Sequence, residues 1–279
     1  MFTISQLFIY PVKSLRGIAV DHLTITDRGA QYDRRWMLVD PFGGFVTIRQ
    51  YPEMTRLRTS IEGDALIIYD AKDPSDRIST PLHPTPGQLF SGKPCLMQVQ
   101  VWDDVVSAWF CEPSVSNWIS DKLGQLVVLV YMPDESLRPV DPVYAPTGAI
   151  TSFTDGYPLL IIGQSSLDDL NSRLDNPVDM RRFRPNIVFT GGAPFAEDQF
   201  AAFHIANVPI LGVKRCARCV VTTTHPETGE IGPEPLRTLA TYRRHGNKVD
   251  FGMNLVATGI GEIRIGDEIR LSVAVSGDA

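Results

Sequence analysis

Along its first hundred residues the chain alternates short apolar runs with turn signals, a period-two pattern that predicts β-strands at residues 4–10, 19–25, 35–39, 45–48, 56–61, 65–69 and 97–101. Gly43-Gly44 and Glu62-Gly63-Asp64 carry the residue types that tight hairpin turns need for positive φ. The period changes at residues 109–123, where Val115, Trp118, Ile119 and Leu123 share one helical stripe. Pro113 suits the first turn there, and Gly124 the stop. Residues 126–131 read as a buried strand, and the proline-, charge- and glycine-rich stretch at 132–148 as a connection between two units.

The second half predicts a strand at 157–162 and a helix at 165–174. Leu167, Leu170 and Leu174 form its buried stripe, and Ser165 with Asp168 makes a capping pair. Strands are expected at 186–190, 201–205, 208–213, 220–224, 255–258, 262–265 and 268–273, with one more helix at 235–244. Many closely spaced strands and few helices point to a β-rich α+β protein with a barrel-like sheet. The expected division is 1–131, 132–273 and a tail at 274–279.

Composition narrows the class. A chain of 279 residues that is 43% hydrophobic has ample apolar surface for two cores. Its net charge of −6 argues against a polymeric nucleic-acid or anionic-membrane binder, so any anion site must be local. No run approaches the roughly 20 apolar residues of a membrane helix. Four cysteines without a charged-then-apolar leader fit a reducing, cytoplasmic setting better than a disulfide framework.

Chemistry concentrates in KRCARCVVTTTHPETG, residues 214–229. Lys214, Arg215 and Arg218 surround Cys216 and Cys219, and nearby cations favour thiolate, the form of cysteine that binds metals and attacks electrophiles. Spacing leaves three readings open: half of a structural zinc site, a redox pair, or a cofactor site. Cys95 and Cys111 stand apart and have no neighbouring histidine to complete a zinc set. A redox pair is expected at a strand-to-helix turn, whereas VVTTT reads as strand. Other polar clusters are Lys13 and Ser14 in YPVKSLRG, which can hold a phosphate, and Arg34 with Trp36, which alternation places on one strand face. Alternation likewise sends Arg182, Arg184 and Asn186 to one side, and residues 152–158 read as a turn before a strand. His225 and His245 invite an acid–base role, but one lies in the THPETG turn and the other in a basic loop beside Arg244, and neither is assigned one; His22, His83 and His204 have no companions that would make them ligands.

These clusters occur in the order YPVKSLRG, DRRW, TIRQ, FRPN, CARC with TTTHPETG, and IGEIRIGDEI. In that order the chain resembles the MOSC-domain proteins with an N-terminal β-barrel domain, the type that includes the mitochondrial amidoxime-reducing component and bacterial N-hydroxylaminopurine-detoxifying reductases. The resemblance runs from Tyr10 to about Leu271. It implies a β-barrel-like N-terminal module followed by a MOSC β-barrel with peripheral helices. It further implies a molybdenum cofactor, a molybdopterin, with Cys219 as metal ligand and catalytic centre. Lys13, Ser14, Arg34, Asp155, Arg184, Asn186 and Arg218 would grip the pterin and its phosphate between the two modules, while Cys216 is expected to be a bystander. The implied activity is two-electron reduction of N-hydroxylated small molecules such as amidoximes or N-hydroxylaminopurines. Relatives that carry an iron–sulfur domain beyond this point imply that a separate ferredoxin-like or flavoprotein donor supplies electrons here. The competing classes are a non-catalytic molybdenum-cofactor carrier or sulfur-transfer protein, with a persulfide on Cys219, and a zinc-stabilised interaction module.

Overall fold

The computed structural model describes residues 1–84 and 96–272. The expected tail at 274–279, the last residue of the strand expected at 268–273, and Cys95 lie outside the described residues.

A closed barrel forms the larger unit. Its seven strands run in the order Leu159–Gly163, Ile187–Thr190, Phe2–Ile9, Glu268–Leu271, Ala202–Ile205, Val208–Ala217 and Lys248–Ala257, and the last pairs back onto Leu159–Gly163. The strand nearest the N-terminus is thus a stave of the barrel otherwise built from residues beyond 158, paired through Leu7 with Ile187 and Thr3 with Glu268. This placement explains the apolar run Leu7-Phe8-Ile9 at its end, where both faces are covered. Ile4, Leu7 and Ile9 join Phe189, Phe200, Phe203 and Leu255 in the barrel core. Phe8 and Tyr10 instead pack outside, with Leu170, Phe183, Leu239 and Phe251, beneath the helices Gln164–Asn171 and Leu236–Tyr242.

The second unit joins a four-stranded sheet, Trp36–Val39, Val128–Tyr131, Asp104–Phe110 and Leu96–Val101, to a three-stranded one of Leu57–Glu62, Ala65–Asp70 and Asp73–Pro81. Its core gathers Val12, Leu15, Trp36, Leu38, Met54, Leu66, Ile119 and Leu129. The helix Pro113–Leu123 closes this core through Val115 and Ile119, and Gly124 ends it in the left-handed region at φ 62°. A further small sheet pairs Gly261–Arg264 with His22–Thr26, and Leu23, Ile25 and Ile263 of these strands join the barrel core. The architecture is an α+β fold of a barrel-like N-terminal domain and a β-barrel with peripheral helices.

Several expected elements differ. Residues 109–111 precede the helix: Trp109 and Phe110 end the Asp104–Phe110 strand. Residues 45–48 form only a bridge at Phe45 and then a turn, in which the Gln50 side chain accepts from the Thr47 backbone and hydroxyl. The strand expected at 220–224 is a 3₁₀ turn, Val220–Thr223: the Thr222 and Thr223 hydroxyls donate to carbonyls three residues back, which competes with sheet pairing. The capping pair also fails. Ser165 Oγ donates to the Ala193 carbonyl, Gln164 donates to Asp168, and the N-cap is Gly163.

Candidate active site between the two units

A cavity of about 320 Å³ opens where the units meet. It is lined by Lys13, Ser14, Arg34, Asp155, Arg184, Asn186, Arg218 and Cys219, so all eight residues marked in the sequence converge there. Its floor is apolar, from Leu159, Leu160, Phe183 and Ile48. Three of the eight adopt positive φ without being glycine: Ser14 at 71°, Arg34 at 49° and Arg184 at 55°. Backbone of that kind carries strain and concentrates at functional sites. It also overrides the alternation argument. Arg34 turns off the strand before Trp36, which is fully buried in the N-terminal core, and Arg184 ends the 3₁₀ turn Met180–Phe183.

Tyr10 organises one wall. The Arg34 and Arg184 guanidinium carbons stand 4.2 and 4.3 Å from its ring centroid. The Tyr10 hydroxyl donates to the Pro185 carbonyl, and burial pushes its pKa up to about 12. Arg34 is neutralised locally: its Nη1 reaches both oxygens of buried Asp33, at 2.8 and 2.6 Å. Among the described residues Arg184 has no such partner. It donates to the Leu15 carbonyl, and burial together with the neighbouring Arg34 charge lowers its pKa to about 10. An anion beside these groups would relieve an existing repulsion.

Lys13 and Asp155 form the opposite wall. Lys13 Nζ donates to the Phe153 carbonyl at 2.9 Å and to Asp155 Oδ1 at 2.6 Å. Desolvation opposes ionisation of Asp155, but the Lys13 ammonium outweighs it and holds the carboxyl well below the usual range. Asn186 is held by the fold: its Nδ2 donates to the Phe8 carbonyl, and its Oδ1 accepts from the Leu160 backbone and from Arg34.

The cysteine segment leaves the end of the Val208–Ala217 strand. Arg218 N donates to the Val249 carbonyl at 2.7 Å, which anchors the chain just before Cys219 turns into the 3₁₀ turn. Cys219 is exposed and lines the cavity. Cys216 is not a bystander: its sulfur accepts from Arg218 Nη1 at 3.0 Å, while Arg218 Nη2 donates to the Phe183 carbonyl. Nor do the surrounding cations ionise it, because burial raises its pKa and outweighs Arg218. The CARC pair therefore divides into an exposed sulfur and a half-buried thiol that positions a guanidinium.

The chain matches two family models, the MOSC N-terminal beta barrel domain over residues 1–126 and the MOSC domain over residues 149–270. It is 33% identical to mitochondrial amidoxime-reducing component 1 of Homo sapiens, covering 96% of this chain and 82% of that one. The chain belongs to the MOSC family. This MOSC protein is also 30% identical to mitochondrial amidoxime reducing component 2 of Bos taurus, again over 96% of this chain and 82% of that one. It is 30% identical to molybdenum cofactor sulfurase of Oryza sativa, over 90% of this chain and 32% of that protein. The family's association is with molybdenum-cofactor-related redox chemistry.

The cavity of this MOSC protein fits an anionic, multiply hydrogen-bonding group. Among the described residues, Arg49 Nε, Arg184 Nη2, Arg218 Nε and the Tyr157 hydroxyl are buried without a hydrogen-bond partner, and all four side chains belong to the lining. Unpaired buried donors carry a free-energy cost that a ligand would remove. Among the described residues no three His, Cys, Asp or Glu side chains cluster to hold a metal, so a soft metal held there would have Cys219 as its protein sulfur ligand and would have to bring its remaining ligands with it.

Arg49, Lys248 and Asn254 also line the cavity, unmarked by the sequence, together with Tyr157 of the turn at 152–158 and Lys214, marked there only as a cation near the cysteines. TIRQ was the signal for Arg49, whose guanidinium lies 4.5 Å from the Trp102 ring; the expected strand hid the turn that aims it.

Proposed function

We propose that this MOSC protein binds a molybdopterin-type molybdenum cofactor in the cavity between its units. It reduces N-hydroxylated small molecules such as amidoximes and N-hydroxylaminopurines with electrons from a separate donor protein. The observation that carries the reading is one exposed thiol, Cys219, at a cavity whose buried guanidinium nitrogens lack partners.

When bound, such a group supplies the two electrons that cleave an N–O bond, and two protons complete the amine and water. Cys219 would hold the metal, and no side-chain nucleophile is needed. Arg184 and Arg218 would grip anionic oxygens of the cofactor, and the rigid guanidinium fork gives direction as well as charge. Arg34 would act as a donor more than a charge, because Asp33 neutralises it. Lys13 and Asp155 would join both units around the group, and Ser14 would offer backbone donors from its left-handed conformation. Phe183, Leu159 and Leu160 exclude water from the floor.

The test is elemental analysis for molybdenum and zinc, with fluorescence of released, oxidised pterin, on the wild type and on Cys219→Ala. Near-stoichiometric molybdenum with pterin in the wild type, lost in the variant, supports the reading. Full molybdenum in Cys219→Ala overturns the ligand assignment, and zinc without pterin overturns the chemistry. Reduction of benzamidoxime by the pure loaded protein with NADH alone would remove the separate donor.

The similarity to molybdenum cofactor sulfurase favours a second reading, transfer of sulfur or cofactor through the exposed Cys219. A sulfur adduct at Cys219 in intact-mass spectra, with no turnover of N-hydroxylated compounds, would select it.

A further inference from the structure

The cavity holds more positive charge than its own acids neutralise. Lys13 pairs with Asp155 and Arg34 with Asp33, and Arg215 lies 3.6 Å from Asp198. Among the described residues the other lining cations, Arg49, Arg184, Arg218, Lys214 and Lys248, form no carboxylate pair within 4.0 Å. Arg184 and Arg218 flank the thiol end and are accounted for by the proposed cofactor.

Lys214 lies elsewhere. It faces Asn254 across the pairing of Val208–Ala217 with Lys248–Ala257. Its Nζ stands 3.7 Å from the Tyr144 ring centroid and 5.9 Å from that of Tyr157. Aromatic faces stabilise an ammonium without neutralising it. The Tyr157 hydroxyl, buried and without a partner among the described residues, belongs to the same lining. Burial, with Asp141 and Tyr144 nearby, pushes its pKa up to about 12, so it stays a proton donor at neutral pH. An ammonium, a phenol and a carboxamide thus adjoin the apolar Leu159 and Leu160, with donors to spare.

We infer that Lys214, Tyr157 and Asn254 form a recognition subsite for an anionic oxygen group, a phosphate monoester or a carboxylate, carried by the substrate away from its N–O bond. The inference rests on the reductase reading. From Lys214 the strand runs on to Ala217 and the chain reaches Cys219 soon after, a span on the order of 10–15 Å at the rise of extended chain. That is the order of length separating the exocyclic nitrogen of a purine nucleotide from its phosphate, which favours elongated, planar substrates with a charged end.

The experiment uses cofactor-loaded full chain, as wild type, Lys214→Gln, Lys214→Arg and Tyr157→Phe. One arm compares N6-hydroxyadenosine 5′-monophosphate with N6-hydroxyadenosine, the other 4-carboxybenzamidoxime with benzamidoxime, each by the ratio of kcat/KM for the charged over the neutral partner. Calorimetric binding of adenosine 5′-monophosphate against adenosine gives a readout that needs no turnover. Wild type should favour the charged partner, Lys214→Gln should cut that ratio about tenfold through KM, and Lys214→Arg should keep most of it. A preference confined to one arm identifies which anion the site takes. The inference is overturned if wild type shows no charge preference in either arm or in calorimetry. It is equally overturned if Lys214→Gln strips molybdenum and pterin, which would place Lys214 in the cofactor site. If neither hydroxylated compound is reduced but monophosphate binding still depends on Lys214, the reductase reading fails while the anion subsite stands.

Discussion

Lys13 Nζ sits 2.6 Å from Asp155 Oδ1, so the loop that leaves the first barrel strand is tied by an ion pair to the turn that opens the second half of the chain. The lysine end is buried, with 6% of its side chain exposed, and the aspartate end is open at 62%. The pair is asymmetric, and so are its consequences.

Asp155→Asn should destabilise the protein by about 1–3 kcal/mol, since it leaves a buried ammonium with the Phe153 carbonyl as its remaining partner and the exposure of Asp155 moderates the loss. Lys13→Met in the same background should recover part of the loss. Urea denaturation of the two single variants and the double variant measures both; equal stability of all of them would dismiss the pair as a structural element.

The same pair sets an acid limb. The folded-state pKa of Asp155 is depressed, so its contribution is present above the unfolded value near 3.8 and is lost as pH falls below it toward the folded value. Wild-type stability should therefore decline more steeply below pH 4 than that of Asp155→Asn. Parallel curves in acid-denaturation series would contradict this.

Thiol chemistry should separate the cysteines. Cys219 is exposed, whereas burial raises the Cys216 thiol and pushes Cys111 up to about 12. Brief iodoacetamide treatment of cofactor-free protein at pH 8, read by peptide mass spectrometry, should modify Cys219 well before Cys216 or Cys111. Cys216→Val should keep the proposed metal ligand yet release Arg218 Nη1, and so lower retention of the proposed pterin several-fold while Cys216→Ser retains more.

Gly212→Ala tests the barrel itself. A methyl group there would meet the Phe200 carbonyl oxygen at 1.8 Å, a backbone atom with no freedom to withdraw. A loss of about 2–4 kcal/mol in thermal or urea unfolding is expected. A silent substitution would mean the strands can separate without cost.

What could be read from the sequence was mainly chemistry. The CARC run and FRPN stand out by themselves, whereas Lys13 and Arg34 are marked through the order of the motifs and the family it resembles, and the cavity brings all of them together. Local geometry was harder to see. Arg34 and Arg184 break strand alternation through positive φ, which their identity does not announce, and Val220–Thr223 looks like strand because its threonines are β-branched although their hydroxyls fold it back. The polar strand Asp73–Pro81 escaped notice because its apolar side chains are few: Ile78 and Thr80 face inward opposite Ile68 and Leu66. Barrel closure was beyond reach, because the partner of Leu159–Gly163 is Lys248–Ala257, a pairing set by distant burial and not by neighbouring residues.

Glu227, in the turn that follows the cysteine segment, contacts Arg16 and Arg58 of the N-terminal unit, and Arg181 at 3.8 Å. Gly229 of that turn packs so close that a methyl group would meet the Pro52 carbonyl at 2.8 Å. Glu227→Gln should therefore loosen the turn, costing about 1 kcal/mol or less at this partly exposed site. It should also raise amide hydrogen exchange at residues 225–230 more than in the barrel strands; unchanged exchange there would show that the turn is held without the cluster.

The placement of Phe2–Ile9 between Ile187–Thr190 and Glu268–Leu271 has a consequence for biosynthesis. Phe2–Ile9 is made long before Ile187–Thr190 and Glu268–Leu271, so until they follow, its sheet partner is the short strand Ile18–Val20. The walls bearing Lys13 and Cys219 come together only through that same closure, so the proposed cofactor site would exist only after Glu268–Leu271 has been made.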